Sequence, residues 1–213
     1  MKYRAYFLAA IACLVVCFSA YAVETDDAYY TGEVKDRVYV NRALGAEAYF
    51  DDNWRILSKK EIAQVMGLAA ASSPSLEEIA KGNMPVFLVG AKDGTANINI
   101  VIVKLGAQIA ELLMNAEIDS VFMDMYMGGA TQGVSKTYTE MGVNDFTVER
   151  MKTNFLGSEH PGVFSTAKIH ELITQYQKQV VCFSGEYAIT LTATSIGTDK
   201  TDDMLAMFRK IGN

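Results

Sequence analysis

Two strand-like runs near the carboxyl end of the chain constrain its fold most strongly. Residues 172–183 and 187–195 are rich in β-branched and aromatic side chains, and a short glycine-containing segment, residues 184–186, separates them. Such a pattern is typical of an antiparallel β-hairpin. Apolar residues alternate with threonines in the second run, whereas residues 180–183 of the first run are all apolar. The hairpin is therefore predicted to belong to a sheet that is covered on both faces.

A closing helix is predicted after this hairpin. Asp199 or Thr201 can cap it, and Gly212 can end it. Its charges complement the helix dipole, with acidic residues near the start and basic residues near the end: Asp202, Asp203, Arg209 and Lys210. Its apolar residues fall on one stripe that can pack on the sheet: Met204, Leu205, Phe208 and Ile211.

The first 22 residues have the parts of a secretory signal peptide. Lys2 and Arg4 precede an apolar run over residues 5–18, and the segment ends in Ala20-Tyr21-Ala22. Cleavage is expected between Ala22 and Val23, which gives a periplasmic or secreted protein. Two alternatives keep the chain at a membrane: residues 5–23 could stay as an uncleaved anchor, or Cys17 could be lipidated. The large Val16 before Cys17 disfavours lipidation, because a small residue is expected there.

Export changes the charge and the cysteine count. Without Lys2 and Arg4, 17 of the 19 basic residues remain against 25 acidic ones, a net charge of −8. This charge argues against nucleic acid and anionic membrane surfaces as partners. Cys182 is then the only cysteine and cannot form an internal disulfide. We expect residues 23–33 to be a short tether and residues 34–213 to form one domain.

Strands and helices follow one another along this domain. Strands are predicted over residues 34–41, 46–50, 86–89, 97–103, 146–155 and 163–169, with a turn at Lys92-Asp93-Gly94 and a loop over 157–162. Capping boxes start two short helices, at Ser58 with Glu61 and at Ser75 with Glu78, and Gly67 and Gly82 are expected to end them. Residues 107–142 are helical, as one helix or as two separated at Gly128, Gly129 and Gly133. The predicted class is α+β, a central antiparallel sheet with helices on both faces.

Several spaced motifs resemble those of PsbP-like proteins, in particular the small secreted or lipid-anchored bacterial members. The motifs are Tyr39-x-Asn41-x-x-Leu44-Gly45, Trp54, Ser58-x-x-Glu61-Ile62, Asp93-Gly94-x-x-x-Ile98-x-Ile100, Tyr187-x-Ile189-Thr190 and Asp199-Lys200-Thr201. The resemblance implies an antiparallel sheet between helical layers. Better-known members are a photosystem II subunit and a Ran-GTPase-binding import factor, neither of them an enzyme. These roles do not transfer, because the motifs contain no binding residue to carry over.

Few residues offer chemistry. Cys182 is a candidate nucleophile, but its apolar neighbours favour a buried structural role. His160 lies beside Glu159 and could be catalytic or a metal ligand, and only His170 could join it. Three acidic pairs are better explained as turn or cap residues than as calcium ligands: Asp26-Asp27, Asp51-Asp52 and Asp202-Asp203.

Met123, Met125 and Met127 are the candidate metal ligands, because thioethers suit Cu(I) in an exported protein. On a helix, however, Met125 points away from the other two, so core packing is the favoured interpretation.

These observations predict an exported, non-catalytic binding or assembly-support protein without a cofactor. Its expected partner is another exported or envelope protein, with membrane contact only if the amino-terminal segment is retained or lipidated. One alternative is a carrier of a small apolar ligand or soft metal that uses residues 123–133. Another is a hydrolytic enzyme that uses His160 or Cys182.

Overall fold

The computed structural model describes residues 27–70, 85–105, 116–169 and 173–212. The described helices are α1 (Ala28–Thr31), α2 (Lys59–Ala70), α3 (Ala116–Glu140) and α4 (Thr201–Leu205). The described strands are β1 (Glu33–Lys35), β2 (Val38–Asn41), β3 (Ala46–Tyr49), β4 (Trp54–Ile56), β5 (Phe87–Ala91), β6 (Ala96–Lys104), β7 (Phe146–Phe155), β8 (Ser158–Ile169), β9 (Ile173–Ser184), β10 (Tyr187–Ile196) and β11 (Phe208–Lys210). None of these helices combines the length and hydropathy that a membrane span requires.

The strands form two antiparallel sheets. The large sheet has the order β4-β5-β6-β10-β9-β8-β7, and the small sheet has the order β1-β2-β3-β11. The predicted hairpin is confirmed as β9–β10, in which Ser184 lies opposite Tyr187. On its other side β10 pairs with β6, so that three strands rich in β-branched residues lie at the centre of the large sheet.

The two faces of the large sheet have different cover. On one face, the isoleucines of β6 pack with Tyr39, Ala48 and Phe208 of the small sheet and with Met204 and Leu205 of α4. We call this the sheet face. On the other face, α3 packs on β8–β10 and α2 packs on β5 and β6. We call this the helix face. The α+β class is thus confirmed, but a single sheet with helices on both faces is not, because a second sheet covers most of one face.

The predicted closing helix is wrong beyond its first turn. α4 ends at Leu205, and β11 follows as a strand in which Phe208 pairs with Ala48 of β3. The N-cap of α4 is Lys200, not Asp199 or Thr201 as predicted, and it makes no side-chain cap hydrogen bond; Asp199 accepts a 3.0 Å hydrogen bond from the backbone N–H of Thr201. Phe208 is buried in the core, but Ile211 is exposed. Backbone pairing with β3 therefore prevails over the helical spacing of the apolar residues.

The run at 34–41 is two strands, not one. β1 and β2 form a hairpin around Asp36 and Arg37, whose φ angles are +48° and +66°. Two consecutive residues with positive φ are what a tight two-residue hairpin turn requires. The guanidinium of Arg37 supports this turn by donating to the carbonyl oxygens of Phe50, at 2.6 Å, and Trp54, at 2.9 Å.

The predicted loop at 157–162 is also wrong, because β8 begins at Ser158 directly after the turn at Leu156 and Gly157. β8 pairs with β7 over this whole stretch but with β9 only from Gly162 onwards. Pro161, which has no N–H to donate, thus lies outside the β8–β9 ladder. His160 is consequently a strand residue.

The capping box of α2 is confirmed. The Ser58 N–H donates to Glu61 Oε2 at 2.9 Å, and the Glu61 N–H donates to Ser58 Oγ at 3.3 Å. Gly67 does not end this helix, which continues to Ala70, and α3 runs unbroken past its glycines. Several predictions lie outside the described residues and stay predictions: the signal segment with Ala22, Val23 and Cys17, the second capping box at Ser75 and Glu78, Gly82, and His170.

Candidate functional site

A buried polar layer lies on the helix face of the large sheet. Its members are uncharged, and none has more than 2% of its surface exposed: Asn97, Asn99, Gln175, Gln177, Gln179, Thr192 and Thr194. The asparagines come from β6, the glutamines from β9 and the threonines from β10. Each set occupies alternate positions of its strand, and alternate side chains point to the same face. The three strands therefore direct their polar side chains into one region.

The strand register arranges the polar layer in two rows. Thr192 lies opposite Asn99 on one side and Gln179 on the other. Thr194 likewise lies between Asn97 and Gln177. Directly opposed residues in antiparallel strands have Cβ atoms roughly 4.5–5.5 Å apart. Amide and hydroxyl groups from three strands thus lie side by side on the helix face.

Several polar atoms of this layer have no hydrogen-bond partner within the described part of the chain. They are Asn97 Oδ1, both side-chain polar atoms of Asn99, Gln175 Oε1, Thr192 Oγ1 and Thr194 Oγ1. A buried polar group without a partner costs about 1–3 kcal/mol of stability, so native proteins contain few of them. Each of these atoms therefore calls for a partner outside the described residues.

One side of the polar layer is tied to α3. Gln175 Nε2 donates to the hydroxyl of Tyr138 at 3.2 Å, and this hydroxyl lies 3.1 Å from Ser165 Oγ. Tyr138 is fully buried at the carboxyl-terminal half of α3. These contacts fix the orientation of the Gln175 amide.

Cys182 and His160 lie together on the sheet face. The Sγ of Cys182 is 3.5 Å from Nδ1 of His160, and the phenyl ring of Phe155 lies edge-on to the imidazole. Burial raises the pKa of the Cys182 thiol to about 12. Burial also lowers the pKa of His160, against the opposing effect of a hydrogen bond to the backbone of Phe155. Both groups are therefore neutral at pH 7, and the pair lacks the depressed thiol pKa that a nucleophilic cysteine needs.

Neither Glu159 nor His170, the residues that could complete a catalytic set, is seen to join this pair. Glu159, the acidic neighbour of His160 in the sequence, forms a 2.6 Å ion pair with Lys152 instead. His170 lies outside the described residues. Within the described ranges, no group of three or more His, Cys, Asp or Glu side chains could hold a metal ion.

The three candidate methionines do not converge. Met127 is buried against the sheet and Met123 packs at the edge of the same cluster, whereas Met125 is 59% exposed on the far side of α3. The helical geometry thus separates the thioethers as the sequence predicted.

The acidic pairs have structural contacts. Asp27 caps α1 by accepting from the N–H of Tyr29 at 2.9 Å. Asp51 accepts from the N–H of Asn53 at 2.9 Å, Asp52 pairs with Arg37, and Asp202 pairs with Lys178. Asp26 lies outside the described residues. Turn, cap and ion-pair roles account for the described members.

The polar layer was missed by the sequence reasoning. The available signal was the repetition of amides or threonines at every second residue in strands that are otherwise apolar. Only the pairing of β6, β9 and β10 shows that the three repeats share a face.

Comparisons with known proteins give no matching family model and no matching curated protein. Among solved structures, the chain is similar to cyanobacterial PsbP (CyanoP) of Synechocystis sp. PCC 6803, with 12% identity, coverage of 83% of this chain and 95% of that one, and a TM-score of 0.45. It is also similar to LpqN, described as involved in cell envelope biogenesis of Mycobacterium tuberculosis, with 15% identity, coverage of 76% and 75%, and a TM-score of 0.37. A protein of Bacteroides thetaiotaomicron has 12% identity, coverage of 84% and 51%, and a TM-score of 0.38. A cyanobacterial PsbP protein is thus among the solved chains to which this chain is similar.

Proposed function

We propose that this chain is an exported, non-catalytic binding protein and that the polar layer holds an uncharged polar molecule. The observation that carries the proposal is the group of unpartnered, buried polar atoms on Asn97, Asn99, Gln175, Thr192 and Thr194. A ligand that hydrogen-bonds to these atoms would offset the cost of their burial.

The composition of the layer selects the class of ligand. The Asn99 side-chain amide offers two N–H donors and one carbonyl acceptor, and each threonine hydroxyl can donate or accept a hydrogen bond. A molecule with several hydroxyl or amide groups can satisfy such a mixed set. A charged ligand would lose its hydration without gaining a counter-charge, because no member of the layer is ionisable. The ligand class is therefore neutral and rich in hydrogen-bonding groups.

The amino-terminal segment supports export, and the proposal keeps the expected exported or envelope partner as a prediction. Binding rather than catalysis is supported by the raised thiol pKa of Cys182 and by the neutral character of the polar layer. The alternative, a carrier of a small apolar ligand or soft metal that uses residues 123–133, is less well supported. Met125 lies on a different side of α3 from Met123 and Met127, so the three thioethers do not converge on one ion.

The replacement Asn99→Leu tests the proposal. Leucine has nearly the same size and needs no hydrogen bonds, so the ligand-free variant should unfold at a higher urea concentration than the parent protein. Asn41→Leu is the matched control. Asn41 is as buried as Asn99, but its amide donates to Tyr30 O at 2.6 Å and accepts from Leu44 N–H at 2.9 Å. This control should be destabilised.

Equal destabilisation of the two variants would contradict the proposal, since it would mean that Asn99 is satisfied within the protein. Mass spectrometry of the protein purified from its own host provides the second measurement. A neutral compound should accompany the parent protein and be lost from Asn99→Leu. A charged compound that is lost in the same way would overturn the assigned ligand class.

A further inference from the structure

We propose that His160 is a pH-sensitive switch on the sheet face, with its imidazole turned towards Cys182 when it is neutral and towards Thr153 when it is protonated. Strand β8, which carries His160, lies between β7 and β9. Thr153 of β7 is directly opposite His160, and Cys182 of β9 contacts the imidazole from the other side. The inference is independent of the ligand proposed for the polar layer.

Cys182 stabilises the neutral imidazole. Nδ1 of His160 lies 3.5 Å from Sγ of Cys182. Burial raises the pKa of this thiol to about 12, so the sulfur keeps its proton and acts as the hydrogen-bond donor. Nδ1 then accepts, which requires that it carries no proton. Protonation of Nδ1 would instead direct an N–H group at a thiol sulfur, which is only a weak acceptor.

Thr153 offers the acceptor that the protonated imidazole needs. Its side chain is only 6% exposed, and within the described ranges its hydroxyl has no hydrogen-bond partner. A hydroxyl oxygen can accept from an imidazolium N–H, and a hydrogen bond to a charged group is stronger than one between neutral groups. Rotation of the ring towards Thr153 would therefore satisfy the charged imidazole and the buried hydroxyl together.

The surroundings of His160 contain no compensating negative charge. Within the described part of the chain, no carboxylate forms an ion pair with the imidazole, and Glu159 pairs with Lys152 on the opposite face of β8. The Lys210 ammonium of β11 lies near the β7–β8 turn, 3.8 Å from the position that a Cβ atom at Gly157 would take. The other charged groups of the neighbouring elements are Glu149, which lies opposite Phe164 further along β8, and the ion pairs Arg209–Glu47, Lys104–Glu186 and Lys178–Asp202.

Rotation of the imidazole affects the packing of the two sheets through Phe155. The Phe155 ring lies edge-on to the imidazole, with centroids 6.1 Å apart, and its centroid is 6.0 Å from that of Phe208 in β11. His160 is half-buried, so its ring can turn without unfolding of the core. We therefore expect acid to loosen the packing of β11 against the large sheet.

The pH range follows from the direction of the pKa change. Burial holds the pKa of His160 below the value of about 6.5 that a histidine has in the unfolded chain. The unfolded state thus binds the proton first. The stabilisation from neutral His160 is fully present above about pH 6.5 and is lost as the pH falls below that value. Between the two pKa values, the equilibrium constant for unfolding should rise by up to about tenfold per pH unit.

Proton NMR titration of the full chain is the test, because the chain contains only two histidines. His170→Gln assigns the remaining imidazole C–H signals to His160. Cys182→Ala removes the donor to the neutral ring and should raise the pKa of His160, whereas Thr153→Val removes the acceptor of the charged ring and should lower it. Thr153→Ser is the matched control, since it keeps the hydroxyl and should leave the pKa close to that of the parent protein.

Hydrogen exchange tests the effect on the sheets. The protection of the β11 amides, relative to those of β10, should fall between pH 7 and pH 5 in the parent protein and stay constant in His160→Gln. Thermal melts establish that each variant folds. The proposal is overturned if Cys182→Ala and Thr153→Val change the pKa in the same direction or not at all, or if the relative protection of β11 does not depend on pH. A pKa of His160 at or above 6.5 in the parent protein overturns it without any variant.

Discussion

At the scale of single residues, Asn41 and Asn99 show that the contacts of a buried amide decide its effect on stability. Both side chains are fully buried. Asn41 uses both ends of its amide, since it donates to Tyr30 O and to the hydroxyl of Tyr39 and accepts from Leu44 N–H, and it thereby fixes the turn after β2. Asn99 has no such partner among the described residues. The first amide stabilises the fold through these contacts, whereas the second is a member of the proposed binding site.

Ser58 and Glu61 lead to a prediction about pH. The backbone N–H of Ser58, the Ser58 hydroxyl and the Arg55 guanidinium hydrogen-bond to Glu61 and lower its pKa to about 2. A glutamate in the unfolded chain has a pKa of about 4.3, so the unfolded state takes up the proton first. The stabilisation from this carboxylate is therefore fully present above about pH 4.3 and is lost as the pH falls towards 2.

Ser58→Ala should lower the free energy of unfolding at pH 7 by about 0.5–2 kcal/mol, the usual cost of losing a cap. The difference from the parent protein should shrink as the pH falls from about 4.3 to about 2, because the parent then loses the same stabilisation. Urea unfolding at a series of pH values measures this difference in the free energy of unfolding between Ser58→Ala and the parent protein. Ser135→Ala is the control: its hydroxyl donates to the backbone carbonyl oxygen of Thr131 within α3, which does not titrate, so its effect should not change with pH. A constant difference for Ser58→Ala would show that the hydroxyl does not act through Glu61.

At the scale of elements, α4 is joined to β9 by a buried cation. Lys178 is only 7% exposed, whereas its partner Asp202 at the start of α4 is 78% exposed, and their charged atoms are 2.6 Å apart. The ammonium also lies 5.6 Å from the ring centroid of Phe164, within the range of a cation–π interaction. The lysine thus depends on one carboxylate from the helix for the neutralisation of its charge.

Asp202→Asn should lower the free energy of unfolding by about 1–3 kcal/mol, because it leaves the Lys178 ammonium buried without a counter-charge. Asp203→Asn is a matched control, since Asp203 is the next residue in the same helical turn but is exposed and should contribute less than about 1 kcal/mol. Urea unfolding of the two variants gives the comparison. Equal effects would mean that α4 is stabilised by the helix dipole and not by the ion pair.

At the scale of the whole molecule, local sequence patterns predict the centre of the fold better than its second sheet. β6, β7, β9 and β10 were predicted because their β-branched and alternating residues fit a strand whatever the surroundings. β11 was not predictable in this way. Its pairing partner in β3 lies 162 residues earlier in the sequence, as the contact between Arg209 and Glu47 shows, and a three-residue strand has almost no pattern of its own. Long-range pairing therefore decides its structure.

The candidate sites were predictable only as separate residues. Cys182 and His160 each stood out in the sequence by chemical type, but their contact depends on β8 extending through residues that were predicted as a loop. The polar layer depends on the register of β6, β9 and β10. Asparagine, glutamine and threonine in strands do not form a sequence motif that indicates a particular function. Chemical type is visible in the sequence, whereas juxtaposition requires the fold.

The junction of the two sheets is built from aromatic rings. Phe208 of β11 lies between Phe50, which follows β3, and Phe155 of β7, with ring centroids 6.3 and 6.0 Å away. Phe155 also contacts His160, so the junction borders the Cys182–His160 pair. The short strand β11 therefore contributes to the molecule mainly through one side chain, which packs the small sheet on the large one.

Phe208→Ala should consequently cost about 3–5 kcal/mol, the usual range for removing a core aromatic, out of the roughly 5–15 kcal/mol expected for a single domain. Arg209→Gln is the control within the same strand. Its side chain is exposed and pairs with Glu47 at 2.8 Å, and an exposed pair is worth at most about 1 kcal/mol. Thermal and urea unfolding of both variants measure the difference. If Phe208→Ala unfolds like the parent protein, the small sheet is not held by this ring, and the packing of the two sheets must depend on Tyr39, which stacks on Phe87 at 4.0 Å.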